Sequence, residues 1–480
     1  MKHSLHNRES ALIDSRFSIV YKAARMSLTD LSDIQGLIHH SYGYSKSRHL
    51  LFEITSLEAG KRLLDYLAPL TTHAMILPAA KPSALLNVGI TYKGLEALRV
   101  APRLLKFFPS EFREEPNKQT MGDLGLSDPA NWWNGKFKTE QIHLVVHLYT
   151  QSLEILDEVT ADVRNAAIGC QELRPTREDR AIEGGWIDNT PGELHFGYRD
   201  GISQPTVRWN DAPLQQGEID YRHFILGYAT QKIQSAPMIL PSSPDSVLAT
   251  ELVRNGSYSV FRWLYQDVAL FNRFLRTEGP RVFPLLPPKD AEELLAAKLM
   301  GRWRDGTPLV ESPDAPNTLL SSSNSFGYTG DLNGQRCPFS AHIRVVNPRD
   351  QALNPTSAAD EIPRVIRRGT PFGPKLTEEE DDQVERGLVG MFICASILRQ
   401  FYKLTGWMKV NDFSPIFPDQ HAQDPLANRS SANTTTPFLI PTEQSSQNVA
   451  LHNFVTTKGT AFFLLPAVKT LQAIAQGKYQ

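Results

Sequence analysis

Apolar residues recur along this chain with two periods. Arg48–Ile54 (RHLLFEI), Ala84–Thr91 (ALLNVGIT) and Gln141–Tyr149 (QIHLVVHLY) are short runs rich in Val, Ile and Leu, and they predict strands. Ser56–Leu67 carries its apolar residues on one helical face, and Tyr92–Leu98 starts a second helix. The second half uses the same vocabulary. His223–Tyr228 and Ser257–Leu264 predict strands, and Asp267–Arg276 and Asp290–Met300 predict helices. Arg386–Thr405 reads as a longer helix, with Leu388, Met391, Ile393, Ile397 and Leu398 at helical spacings. Phe454–Thr457 and Thr460–Leu465, separated by Lys458-Gly459, predict a hairpin, and Val468–Ala475 a closing helix. Strands and helices mixed with hairpins, without regular βαβ alternation, argue for an α+β fold.

Polar segments divide the chain. The stretch from Glu172 to Gly192, with Pro175, Gly184, Gly185 and Pro191, predicts a boundary. It separates an N-terminal extension (1–34) and a first domain (35–190) from a second domain (191–480). Ala427 to Asn448 is rich in Ser, Thr and Asn and predicts a surface loop. The acidic run Glu378 to Asp382 predicts a solvated helix start, favoured by the helix dipole, just ahead of Arg386. No fixed-period repeat is present.

Composition narrows the function classes. A formal net charge of −2 over 480 residues gives no footprint for nucleic acid or an anionic membrane. Short basic spots such as Arg364, Arg367 and Arg368 suit a site better than a polyanion. The three cysteines, Cys170, Cys337 and Cys394, are far apart, which fits a reducing, cytoplasmic setting and excludes a disulfide framework. Met1 to Arg25 lacks the apolar core of a secretory signal, and no segment approaches the ~20 apolar residues of a membrane helix. A homo-oligomer remains open.

Chemistry concentrates in three stretches. His195–Pro205 (HFGYRDGISQP) contains Gly197-Tyr198-Arg199-Asp200-Gly201, in which two glycines bracket an acid. Such a tight loop can carry a carboxylate up to a ligand, or be a turn in which Asp200 caps its neighbours. Arg336–Arg349 (RCPFSAHIRVVNPR) sets His342 beside an apolar stretch, the setting of a satisfied core histidine and also of an axial ligand to haem iron. Ile366–Gly373 (IRRGTPFG) puts arginines ahead of a Gly/Pro turn, ordinarily a surface arrangement.

Together and in this order, the stretches resemble the dye-decolorising peroxidases, particularly their longer bacterial and fungal branch. Gly197–Gly201 matches that family's GxxDG motif, Cys337–Arg344 its Cys-Pro-x-x-Ala-His-Ile-Arg segment, and Arg367–Gly373 its Arg-x-Gly-x-Pro-Tyr-Gly segment. Weaker matches at Met300–Gly306, Arg386–Leu388, Asp424–Leu426 and Phe454–Leu464 extend the likeness over Gln35 to Ala475. The resemblance implies two ferredoxin-like domains of antiparallel sheet and packed helices, with one haem b held mainly by the C-terminal domain. It implies His342 as proximal iron ligand, Asp424 as the acid bonded to that imidazole, and Asp200 and Arg367 as the distal acid and arginine. Ile202 and Leu388 are expected to line the haem pocket, and Arg344 and Gln204 to meet its propionates. The partners implied are hydrogen peroxide and aromatic donors such as dyes and phenolics.

These residue types suit that reaction. A carboxylate can accept a proton from one peroxide oxygen and return it to the other, and a permanently charged guanidinium can stabilise the negative charge that builds as the O–O bond breaks. An aspartate as base predicts activity under acidic to neutral conditions. Two departures stand out. Leu388-Val389-Gly390 replaces the usual Leu-x-Phe, which widens the distal pocket unless Met391 or Phe392 fills it, and Phe372 replaces the usual Tyr. Any long-range electron relay would then use another aromatic, such as Trp407 or Tyr402. His195 is expected in a structural role beside the GxxDG loop. His143 and His147 have the spacing of a helical zinc pair but lie in a predicted strand, without HExxH. The rival class is a haem protein that releases iron from haem or binds haem without turnover.

Overall fold

The computed structural model describes residues 28–76, 82–228, 243–351, 362–378, 380–410, 424–427, 435–442 and 446–480. The N-terminal extension therefore lies largely outside the described residues. The strands expected in the first half form as β1 (Lys46–Glu53), β2 (Ala84–Ile90) and β3 (Leu144–Thr150), with β3 between the other two. Every residue of β3 is buried, the reason its sequence is a nearly continuous apolar run instead of an alternation. The helix Leu57–Leu67 turns Ala59, Leu63, Leu64 and Leu67 inward and packs against the C-terminal helix Val468–Ala475. β4 (Gln171–Leu173) and β5 (Ile182–Gly185) both add to β1.

The second half opens with a short parallel pair, β6 (Thr206–Arg208) and β7 (Glu218–Asp220). It then builds its own antiparallel ladder from β8 (Ser257–Gln266), β9 (Ile366–Phe372) and β10 (Gly387–Cys394). A small hairpin, β11 (Thr436–Pro441) with β12 (Ser446–Leu451), precedes β13 (Val455–Leu465). The order is β13-β8-β10-β9, and β13 joins the first ladder through the single pair Leu464 with Ile90. The two ladders also meet face to face. Phe261 of β8 lies against His49 and His147, Tyr149 Oη reaches Met391 Sδ at 3.8 Å, and Ser47 bonds Thr370. The α+β class with antiparallel sheet and packed helices is as the sequence implied. No helix among the described residues is long and apolar enough to cross a membrane.

Five local expectations fail, each for a physical reason. Arg386–Thr405 is not one helix: Gly387–Cys394 is β10, followed by a π-helical turn at Ile397–Tyr402 and the helix Lys403–Val410. Gly387, Val389, Met391 and Ile393 are buried with period two, and pairing with both β8 and β9 overrides the coincidental helical spacing. The acidic run thus precedes a strand, and Asp382 pairs with Arg386. Phe454–Leu465 is not a hairpin but a single strand from Val455, bulged between Thr457 and Gly459. Gly459 serves close packing there, since a Cβ would sit 2.6 Å from the indole of Trp133. His223–Tyr228 forms no strand; its Ile225 and Leu226 are buried in irregular backbone after a 3-10 turn at Tyr221–His223. The expected surface loop at Ala427 to Asn448 contains β11 and the first three residues of β12, with Phe438 and Ile440 fully buried; 428–434 and 443–445 lie outside the described residues.

His49 and His147 face each other across β1 and β3, joined Nδ1 to Nδ1 at 2.8 Å. Burial holds both imidazoles neutral, pushing His49 down to about 3 and His147 well below its ordinary value. An unfolded histidine takes up its proton near pH ~6.5, so the stability held by the neutral pair is lost as pH falls from there toward 3. Buried Glu115, raised to about 8, pulls the other way, so the pair is read by difference. Urea unfolding at pH 7 and pH 4 should show a smaller acid-induced loss in His49→Leu/His147→Leu than in the wild type; an equal loss contradicts the assignment.

Candidate active site

His342 opens the short helix His342–Val346. Its Nδ1 lies 2.7 Å from Oδ2 of Asp424, whose side chain is fully buried. Oδ1 of the same carboxylate accepts the backbone N–H groups of Leu426 (2.8 Å) and Ala427 (3.1 Å). An ionised carboxylate only accepts, so in the neutral ring Nδ1 carries the proton and Nε2 presents its lone pair. The imidazole is about a quarter exposed, with a side-chain accessibility of 27%. A ring oriented by a carboxylate with its second nitrogen free is the arrangement of a metal-ligating histidine. The Asp424 N–H donates to Met408 O at 3.2 Å, which ties the acid to the helix Lys403–Val410.

Arg367 lies on β9, the edge strand of its ladder. Its backbone N–H and C=O point away from β10 and need a partner. Gln204 supplies both: its Oε1 accepts from Arg367 N and its Nε2 donates to Arg367 O, each at 3.1 Å. The guanidinium donates to Ser203 O at 3.1 Å and approaches Asp200 Oδ1 at 3.8 Å. Both side chains of that ion pair are more than a third exposed, so attraction contributes little, and the backbone bonds set the geometry. Directly opposed residues share a sheet face. Arg367 opposes Phe392, Gly369 opposes Gly390 and Pro371 opposes Leu388, which puts Leu388 on the Arg367 face.

One turn touches both groups. Gly301 adopts φ +92°, and a Cβ there would lie 2.5 Å from Ile343 Cγ1, next to His342. Gly306 adopts φ +105°, and a Cβ there would lie 2.5 Å from Ile202 Cδ1, in the Asp200 loop. Only glycine allows both approaches. Arg199 N also donates to Arg304 O at 3.0 Å. Stretches around Ile202 and Ile343, 141 residues apart, thus gather at the segment 301–306.

No family model matches the chain. Curated relatives do. A dye-decolorizing peroxidase (msp1) of Mycetinis scorodonius is 26% identical over 476 residues, covering 93% of this chain and 87% of the relative. One from Mycena epipterygia is 28% identical over 493 residues (93% and 87%). The multifunctional dye peroxidase DyP2 of Amycolatopsis sp. is 28% identical over 407 residues (81% and 82%). Among solved structures, a DyP crystal structure aligns with TM-score 0.77 at 25% identity, covering 93% of this chain and 98% of the other. An ancestral D-type dye-decolorizing peroxidase aligns with TM-score 0.76 at 26% identity (94% and 99%). The chain is a homologue of the dye-decolorising haem peroxidases.

Against that family, the two departures have structural answers. The ring of Phe392 lies over Gly390, where a Cβ would be 2.9 Å from Phe392 Cε2, while Met391 points to the opposite face and Tyr149. Phe392 therefore covers the space beside Gly390. Phe372 packs its ring 6.1 Å from Trp263, and its carbonyl lies 2.7 Å from His195 Nε2. His195 thus braces β9, and burial lowers its pKa. Tyr402 contacts Phe462 (5.8 Å), and burial raises its phenol to about 12. Trp407 is on the helix Lys403–Val410, with its side chain outside the described set.

Arg344 corrects the sequence expectation. It is fully buried between the rings of Tyr328 and Phe339, each 4.5 Å away, and bonds Asp331 Oδ2 (2.9 Å), Gln351 Oε1 (2.8 Å) and Cys337 O. A guanidinium so engaged holds the loop ahead of His342 and is not disposed to meet a propionate. Gln204 likewise spends its amide on Arg367. Its signal was the edge strand, invisible before β9 is placed. His143 accepts from Ile54 N and His147 is buried with His49; no metal-holding cluster occurs among the described residues.

Removing the Asp424 carboxylate leaves His342 without its orienting partner. Asp424→Asn should weaken metal affinity or activity about 10–100-fold, measured by haem titration and by the ligand-field bands of the purified variant; unchanged values contradict the role given to Asp424.

Proposed function

We propose that this protein is a haem-dependent peroxidase that reduces hydrogen peroxide and takes the electrons from aromatic donors such as dyes and phenolics. The observation that carries the reading is the 301–306 turn, which touches the loop of Asp200 on one side and the helix of His342 on the other. The residues fit haem b: an imidazole with a free Nε2, fixed by a buried acid, and an acid–arginine pair gathered around the same turn. We infer one haem per chain, held mainly by the second of two ferredoxin-like domains, 35–190 and 191–480. Three free cysteines support a reducing, cytoplasmic setting.

Haem, when bound, supplies the iron at which peroxide is reduced to two waters with two electrons from the donors. His342 would hold the iron through Nε2, with Asp424 keeping the proton on Nδ1 and strengthening electron donation. Asp200 would take a proton from one peroxide oxygen and return it to the other, which leaves as water. Arg367, anchored by Ser203 and Gln204, stays charged and faces the negative charge that develops on that oxygen. Its backbone clamp matters because a donor aimed in advance pays no reorganisation during the reaction.

Stopped-flow mixing with peroxide tests the roles. Asp200→Asn should slow peroxide reduction ~10²–10⁴-fold and Arg367→Leu ~10²–10³-fold; if neither slows it, the assignment is wrong. Steady-state assay with peroxide and an anthraquinone dye tests the function itself. Turnover with the porphyrin intact is expected, whereas loss of the Soret band with release of free protoporphyrin would assign the protein to iron removal from haem.

A further inference from the structure

Asp123 follows the short helix Lys118–Met121, after Gly122 turns the backbone at φ +60°. Its side chain is 3% exposed, and both of its oxygens are engaged. Oδ1 pairs with Lys409 Nζ, and Oδ2 accepts from Arg262 Nη2 at 2.8 Å. Both cations are themselves buried, Arg262 on β8 and Lys409 near the end of the helix Lys403–Val410. Lys409 also donates to Met121 O at 2.9 Å, and Arg262 to Thr457 Oγ1 on β13. One acid from the first half of the chain thus holds a strand and a helix of the second.

Apolar side chains of similar volume could join these elements without the cost of desolvating three charges. What the ions add is direction, because a lysine bonded to a carboxylate and to a carbonyl fixes the place of its helix end. The residue beside Lys409 shows what that place serves. Met408 O accepts the N–H of Asp424 at 3.2 Å. The other bonds of Asp424 among the described residues are local, to Leu426 N and Ala427 N, or go to His342 Nδ1. The Met408 carbonyl therefore joins this acid to the body of the fold. A shift of the helix end would carry the carboxylate off line from Nδ1, and a hydrogen bond weakens steeply as it bends.

We propose that Asp123 and Lys409 are positioning residues for His342. By locking the helix end that bears Met408, they hold Asp424 in line with the imidazole, and so keep the proton on Nδ1 and the lone pair on Nε2. This rests on the haem reading given above, and it brings the segment 121–123 into a site whose other residues lie between 199 and 424. Arg262 shares Asp123 but runs toward β13, away from the helix, so its side of the network supplies a control.

Resonance Raman spectroscopy of the ferrous, haem-loaded full chain reads the iron–imidazole stretch, which rises as the bond at Nδ1 strengthens electron donation. Lys409→Met keeps the Asp123–Arg262 pair; it should move that band toward its place in Asp424→Asn and weaken haem binding about 10-fold. Lys409→Arg should restore both, and Asp123→Asn should act like Lys409→Met. Thr457→Val cuts the same buried network on its sheet side and should leave the band in place, which separates positioning from a general loosening of the fold. Within Asp424→Asn, Lys409→Met should add no further shift. An unmoved band in Lys409→Met, an equal shift in Thr457→Val, or full additivity with Asp424→Asn overturns the proposal. If Lys409→Met does not fold, Lys409→Gln, which keeps a donor for Met121 O, is judged by the same criteria. Failure of the wild type to bind haem sinks the haem reading alone. The haem-free full chain then decides: nitrogen NMR of isotope-labelled histidines should find the His342 proton on Nδ1 in the wild type and that preference lost in Lys409→Met, and a preference kept in the variant overturns the positioning role.

Discussion

The hydrogen bond between His342 and Asp424 is the constraint from which the site's chemistry follows. A free imidazole has two tautomers and a rotating ring; this one has neither freedom. Asp424 is fully buried and already accepts two backbone N–H groups on one oxygen, so its other oxygen can only receive the Nδ1 proton. That leaves Nε2 as a lone pair on an accessible face. The acid is held by Met408 O, the helix bearing Met408 carries Lys409 against buried Asp123, and Asp123 also pairs with Arg262 of β8. The orientation of one ring is thereby tied to the middle of the sheet.

Arg367 is fixed by a different device. An edge strand exposes backbone groups that attract any partner, and here the chain uses them. Gln204 satisfies both groups of Arg367 with a single amide, which brings the Asp200 loop to β9 without a further strand. Because both members of the Asp200–Arg367 pair remain exposed to solvent, each keeps the freedom to act on a ligand instead of being spent on the other. A fully buried pair, such as Arg344 with Asp331, shows the contrast: it organises the loop before His342 and offers little to anything outside.

The strand around Gly390 shows how a sheet face fills the space beside a glycine. Residues two apart on a strand project on the same side, so the ring of Phe392 can lean back over Gly390. The same pleat separates Phe392 from Met391, whose sulfur faces the opposite ladder.

Much of this was legible in one dimension. Apolar periodicity located β1, β2, β3, β8 and the helices around them, because each such element buries one face or both and its composition records that burial. The likeness of Gly197–Gly201, Cys337–Arg344 and Arg367–Gly373, in that order, to dye-decolorising peroxidase motifs pointed to the chemistry, since each stretch alone also suits a turn, a core histidine or a surface arginine. What the sequence could not carry was partnership at a distance. Gly387–Cys394 looks helical until β8 and β9 flank it, and Gly459 looks like a turn until Trp133 is packed against it. Arg344 resembles a ligand-binding arginine until Asp331 takes it. In each case the deciding contact lies with residues remote in the chain, and local propensity is too weak to compete with a ladder of hydrogen bonds, a packed ring or a buried ion pair.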